Sequence, residues 1–262
     1  MRPLIGNKFG AVNPVDPFDL LFGKRQIMLD SSFAASPARK ADAQYCLACL
    51  RLLDDRDYEM PVWLHVSEVV PLIEDHLELA QAMRADIRSP IRVVAQCAGG
   101  MALLVVTAGK PGYRFVRPFS SFSIGLNRLD PRIAKVVERY EAYGEIPADE
   151  ADDGDDMEDP ENEMLRAAKK NPERFKMIKY SYDELNERVV QFFAECGGER
   201  AIPFIERLRS EDIVFLTPSL MIAYGLADHV LTKETRDLCY GPQEAQTKPN
   251  PGQPGLDLNL ED

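Results

Sequence analysis

The chain has 262 residues, a hydrophobic fraction of 45% and a formal net charge of −12, enough for one large domain or two small ones with an ordinary globular core. No apolar run approaches the roughly 20 residues that span a bilayer, and no basic stripe with interleaved aromatics marks a nucleic-acid surface. Five cysteines, with no apolar signal core in the first residues, read as reduced thiols in a cytoplasmic protein.

Residues 1–23 are rich in Gly, Asn and Pro and read as an irregular arm. Arg25 to Asp30 is a first strand. Residues 38–54 place Tyr45, Cys46, Cys49, Leu50 and Leu53 at helical spacing. Pro61 to Val66 is a short apolar strand, and Leu72 to Met83 a helix with Ile73, Leu77, Ala80 and Met83 inward. Ile91 to Gln96 is a strand that runs straight into the glycine turn Gly99-Gly100. Strands alternating with helices of this length predict an α/β core with a mainly parallel sheet.

Beyond Gly125 the pattern loosens. Residues 131–143 have a helical pattern. Residues 145–163 hold eleven acids and no base, so this one segment carries nearly all of the net charge; it is too apolar-poor to pack and reads as a solvated loop. A basic helical stretch with Arg166, Lys169, Lys170, Arg174, Lys176 and Lys179 follows. Residues 181–195 form an amphipathic helix with Leu185, Val189, Phe192 and Phe193 on one side and Gly197 closing it. Ile213 to Leu216 is a strand; Thr217 is an N-cap, Pro218 suits the first turn and Gly225 the C′ position. From residue 240 the tail is rich in Pro, Gly, Gln and Asn and reads as disordered.

The stretch from Cys97 through Gly99-Gly100-Met101 and the apolar helix to Ala108-Gly109 resembles the nucleophile segment of the ClpP peptidases. In that family a serine on a tight turn is followed by Met-Gly and an apolar helix ending in Ala-Gly. Further blocks match in order. Residues 108–120, Ala-Gly-Lys-Pro-Gly-Tyr-Arg-Phe-Val-Arg-Pro-Phe-Ser, resemble Ala-Gly-x-x-Gly-x-Arg-Phe-x-x-Pro-x-Ser, and Phe215-Leu216-Thr217 with Tyr224-Gly225-Leu226-Ala227-Asp228 resembles the closing motifs. The likeness covers roughly residues 25–232. It implies a ClpP/crotonase-like α/β core of stacked β-β-α units with a protruding helical handle. The implied layout is an arm at 1–23, the ClpP-like domain at 24–239 with its acidic insert at 145–163 and handle helix at about 181–195, and a tail at 240–262.

The same comparison removes the chemistry. A serine hydroxyl, a histidine base and an orienting acid are required. Gly100 stands at the serine position, Gly125 at the histidine position after the strand Ser120–Ile124, and Ile213 at the acid position, with Asp212 one residue out of register. The loop that gives one oxyanion donor reads Glu68-Val69-Val70-Pro71, and a proline there has no N–H to donate.

Other constellations are less specific. Cys46-x-x-Cys49 lacks a second ligand pair and reads as two core thiols rather than a zinc site. His65, His76 and His229 follow no metal or triad spacing and read as surface or satisfied core histidines. The acidic run lacks EF-hand spacing. Ser120, Ser121 and Ser123 read as structural serines of a strand. No metal or cofactor is expected. By resemblance, Trp63, His65, Phe115 and Leu231 fall where the family docks hydrophobic loops of a Clp AAA+ ATPase, and Val189, Phe192 and Phe193 fall at the contact between two rings. The resemblance implies a non-catalytic subunit, scaffold or regulator, of a homo- or hetero-oligomeric Clp-type protease ring, with no nucleic-acid or membrane partner. The alternatives are an active serine endopeptidase with a rearranged site and a stand-alone binding protein using the vacated pocket.

Overall fold

The structure is a computed structural model that describes residues 4–6, 12–14, 21–30, 43–70, 74–144 and 160–240. Pro71, Ile73, the acidic residues 145–159 and the tail beyond Tyr240 lie outside the described residues. The arm is not wholly irregular: β1 (Leu4–Gly6) and β2 (Val12–Pro14) pair as an antiparallel ribbon.

The core is a mixed α/β structure built on a mostly parallel sheet. β3 (Gln26–Leu29), β4 (Val62–Val70) and β5 (Ile91–Gly100) lie side by side in parallel. β5 has two successive neighbours along its other edge. Its first half pairs with β6 (Arg114–Val116) and its end pairs with β7 (Phe122–Ile124), both in parallel. β6 continues to β9 (His229–Val230), while β7 takes β8 (Val214–Leu216) as an antiparallel partner. β4 and β5 reach four residues further than the apolar pattern predicts, as far as Val70 and Gly100.

One face of this sheet is covered by α1 (Ala43–Arg56), α2 (Glu74–Ala85), α3 (Ala102–Ala108) and the second half of α6 (Pro172–Gly197). The helical spacing read from the sequence points inward as expected: Cys46, Leu50, Leu53, Leu77, Ala80 and Met83 are all buried. α3 is buried at every position. Such an apolar helix is stable only inside a core.

α4 (Pro131–Tyr143), α5 (Pro160–Lys170) and the start of α6 form a second, smaller apolar cluster around Ile133, Val137, Ala168 and Phe175. The caps explain the boundaries. Asp130 accepts the Arg132 N–H ahead of Pro131, and Asn171 accepts the Arg174 N–H ahead of Pro172. The Asn171-Pro172 pair thus divides the basic stretch, and no break follows until Gly198, so the helix expected at 181–195 is a single helix of 26 residues. α7 (Ile202–Ser210), β8 and α8 (Pro218–Ala223) come next, with Thr217 accepting the Leu220 N–H and Gly225 at φ 71°, as the sequence predicts. α9 (Lys233–Tyr240) ends the described chain. Among the described residues no helix is long and apolar enough to cross a membrane.

Val189, Phe192 and Phe193, expected at a surface between rings, are instead core residues, each less than 10% exposed. Phe193 packs edge-on against Phe192 and Phe204, so this side of α6 faces its own chain. An amphipathic pattern shows that a face is buried but not against what.

A buried ion pair ties the far edge together. Arg114 on β6 donates Nη2 and Nε to Asp228 at 2.6 and 2.9 Å, and Asp228 also accepts the N–H groups of Gly112 and Arg114. Burial alone would raise the Asp228 carboxyl, but the Arg114 bonds and charge and the two backbone donors outweigh it and hold it below its ordinary 3.8. Stability from this group is therefore complete above that ordinary value and is lost as the pH falls through the lower folded one. Asp228→Ala leaves Arg114, 3% exposed, without its counter-charge. It is expected to cost about 3–5 kcal/mol in urea unfolding at pH 7, with the gap to the native protein closing in acid. An unchanged midpoint would show that the pair contributes nothing.

Candidate functional site

The three positions expected to hold a triad do converge. Parallel pairing sets Gly99 opposite Ser123, two residues before Gly125, and the antiparallel β7–β8 pair brings Gly125 beside Asp212 and Ile213. What converges is backbone. Gly100 ends β5 at φ 56°, a conformation that disfavours a side chain. A Cβ on Gly125 would lie 2.2 Å from the Asp212 carbonyl oxygen and 3.3 Å from its carbon. No histidine fits there without parting β7 from β8, so the glycine is required by the strand pair itself.

The acid and the oxyanion donors are also redirected. The Asp212 side chain is 90% exposed and held by Arg128 Nη1 at 3.0 Å, while Arg128 Nη2 donates to the carbonyls of Arg209 and Glu211. Ile213 is half-exposed. The N–H of Met101, next to the expected nucleophile position, donates to Val70 O at 3.3 Å. An oxyanion hole needs that N–H free and aimed at the substrate. The residues Glu68-Val69-Val70, expected as a separate loop, are strand residues paired with Ala98, Gly99 and Gly100, which is why Val70 O reaches Met101.

Among the described residues no serine hydrogen-bonds a histidine: Ser120 donates to Arg117 O, and Ser123 sits on β7. Ser67 Oγ and Cys97 Sγ lie 3.6 Å apart across β4 and β5. Cys46 and Cys49 are buried in α1, Cys46 donating to Met28 O, and burial raises the Cys49 thiol against the opposing Tyr45 bond. His229 stacks near Phe115. His65 is held below its ordinary value first by burial and then by the Arg117 charge, and its Nε2 has no partner.

Sequence reasoning missed the pair His76 and Glu68. His76 Nε2 lies 3.3 Å from Glu68 Oε2, both side chains are buried, and His76 Nδ1 has no partner. The signal was present: the alternation Val62, Leu64, Val66 continues to Glu68 and puts it on the core face. Of the expected docking residues, Trp63, Phe115 and Leu231 meet in one small apolar cluster with Val94, Tyr113 and Cys239, but Phe115 is fully buried. His65 stands two residues along β4 from Trp63. A cavity of about 340 Å³ lies between α2 and α6, and one of about 350 Å³ lies between the α2–β5 connection and the turn after α3; both reach Arg84 and Glu195 and neither is lined by Gly100 or Gly125.

The crystal structure of a peptidase from Plasmodium falciparum matches this architecture. It covers 82% of this chain and 100% of its own, with a TM-score of 0.54 and 18% sequence identity. The fold is that of a peptidase. No family model matches the sequence, and no curated protein does. The likeness is one of fold; Gly100, Gly125 and Ile213, expected at the positions of a triad, carry no hydroxyl, imidazole or carboxylate.

Because Gly125 is fixed by the Asp212 carbonyl, Gly125→Ala is expected to lower stability by about 1–3 kcal/mol in chemical unfolding. A native-like midpoint would mean that the β7–β8 pair has room for a side chain.

Proposed function

We propose that this chain is a non-catalytic, ClpP-like subunit of a ring-shaped Clp-type protease, acting as scaffold or regulator beside active subunits in the cytoplasm. The observation that carries this reading is the Met101 N–H bonded to Val70 O next to a residue with no side chain. Nucleophile and oxyanion donor are lost at the same point, and Gly125 closes the place of the base. Loss of one oxyanion donor alone costs a factor of about 10²–10³; without nucleophile and base no triad mechanism is left to impair. The buried framework around the turn is nevertheless complete, from Met101 to Ala108. A kept framework without chemistry fits a role in assembly.

In this reading the contacts with other subunits come from exposed surface and not from Val189, Phe192 or Phe193. The helical cluster of α4, α5 and α6 exposes Tyr143, Met164 and Met177. The acidic segment leaves this cluster at Gly144 and returns at Pro160, where it bears on how two rings meet. Trp63, His65 and Leu231, all half-buried, serve docking of a Clp AAA+ ATPase or a similar partner, with Phe115 as buried support in this reading.

Native purification with mass measurement tests the reading. The expected result is a ring-sized assembly that contains a sibling subunit with an intact triad. A monomer at cellular concentration would contradict it.

A further inference from the structure

The cavity of about 350 Å³ between the α2–β5 connection and the turn after α3 brings basic groups together away from Gly100 and Gly125. Arg84, Arg88 and Lys110 line it, and Met83, Ile87 and Ile91 give it an apolar side. Arg84 stands on the last turn of α2 and Arg88 on the connection that follows. Lys110 comes from the other wall, and its backbone is pinned there. Its N–H donates to Ile91 O and its carbonyl accepts the Tyr113 N–H, both at 2.9 Å. The chain as a whole is acidic, at −12, yet the carboxylate that lines this cavity is Glu195 alone.

The fold does not consume these cations. α2, α3 and α6 all end at the cavity, and a cation is favoured at such ends. Carbonyls at the three ends, however, are met by other groups. Ala82 O accepts the Asp86 and Ile87 N–H groups, Thr107 O accepts Arg114 Nη1, and Ala194 O accepts the Gly198 N–H. Arg114, also in the lining, is neutralised by Asp228. Arg88 gives Nε to Asp54 at 3.1 Å, which leaves its two Nη groups for a ligand. Arg84 gives Nη1 to the Cys196 thiol at 2.9 Å. Burial raises that thiol above its ordinary value in spite of the Arg84 charge, so it is no counter-ion at neutral pH. Glu195 lies 3.6 Å from Arg84 and its side chain is half-exposed. Lys110 Nζ meets the Tyr113 ring at 5.8 Å and, among the described residues, no carboxylate.

We propose that this cavity binds a small organic phosphate, with the phosphate held by Arg84, Arg88 and Lys110 and a short apolar body against Met83, Ile87 and Ile91. Two guanidinium forks and one point charge suit the oxygens of a phosphate dianion. The volume lies at the low end of ligand sites, which run from about 300 to 1,000 Å³, so the body is no larger than a single ring. Glu195 is the group that opposes the anion, and its exposure lets it turn to solvent. The site is independent of any assembly into rings.

Calorimetric titration of the full-length protein with phenyl phosphate and with inorganic phosphate, at constant ionic strength, tests this. One saturable site is expected, tighter for phenyl phosphate because of its ring. Lys110→Gln and Arg84→Gln change exposed residues and are each expected to weaken binding about tenfold. Glu195→Gln is expected to tighten it, and Lys233→Gln, on the exposed side of α9, to leave it unchanged. A second readout needs no variant. Bound phenyl phosphate is expected to slow alkylation of Cys196 by iodoacetamide in the native chain, and not that of Cys97, read by peptide mass spectrometry. The absence of saturable heat with both compounds overturns the proposal. Equal weakening by Lys233→Gln and Lys110→Gln also overturns it, because general surface charge then accounts for the binding. Saturable binding that leaves Cys196 alkylation unchanged places the ligand elsewhere and overturns the site. Equal affinity for the two compounds overturns the apolar half of the proposal.

Discussion

The parallel pairing of β4 with β5, carried through to Val70 and Gly100, is the constraint on which the rest of this molecule depends. It forms the centre of the sheet, with Leu64, Val66, Val93 and Ala95 buried against the helices. β5 then serves as the edge on which β6 and β7 are laid one after the other, and through them β9 and β8. The same pairing closes the expected active site. Because β4 does not leave the sheet before Val70, its carbonyl takes the Met101 N–H. In the proposed reading, the bond that completes the strand also takes up the N–H that would serve as an oxyanion donor.

Polar groups elsewhere hold the periphery to this centre. The Arg25 guanidinium, on a residue at φ 57°, donates to the carbonyls of Leu53, Asp57, Met60 and Pro61 and fixes the turn between α1 and β4. Asp54 accepts from the Ser89 N–H and from Arg88, tying α1 to the approach to β5. Asp228 with Arg114 does the same for the last strand. Each anchors a connection whose backbone groups would otherwise need water. What these anchors leave outside is a set of surfaces: the helical cluster of α4 to α6 and the cavity lined by Arg84, Arg88 and Lys110.

Much of this was legible in the sequence where a local rule has a single reading. Period-two alternation gave β4 its inward residues, 3.6-residue spacing gave α1 and α2 theirs, and Thr217-Pro218 with Gly225 fixed both ends of α8. That Gly100, Gly125 and Ile213 carry no hydroxyl, imidazole or carboxylate is read directly from the sequence; that they stand at triad positions belongs to the proposed reading. What sequence could not supply was the identity of packing partners. The apolar side of α6 was real, but Phe193 meets Phe204 of the same chain, not another ring. Glu68 was read as loop because the resemblance set residues 68–71 at the loop that gives an oxyanion donor; its partner His76, eight residues on, makes its buried place in β4 tolerable. The cover over Trp63 and Phe115 was not foreseen, since residues 233–240 carry only a weak apolar pattern and owe their place to the Cys239 carbonyl, which accepts from Trp63 Nε1 and Arg92 Nη1.

The proposed non-catalytic role turns on whether any serine of this chain acts as a nucleophile. Labelling the purified full-length protein with a fluorophosphonate probe, followed by mass spectrometry of the intact chain, measures this most directly. The account requires an unmodified mass under conditions where a serine peptidase control is labelled to completion. A covalent adduct on a serine of the folded chain, lost on denaturation before labelling, would contradict it.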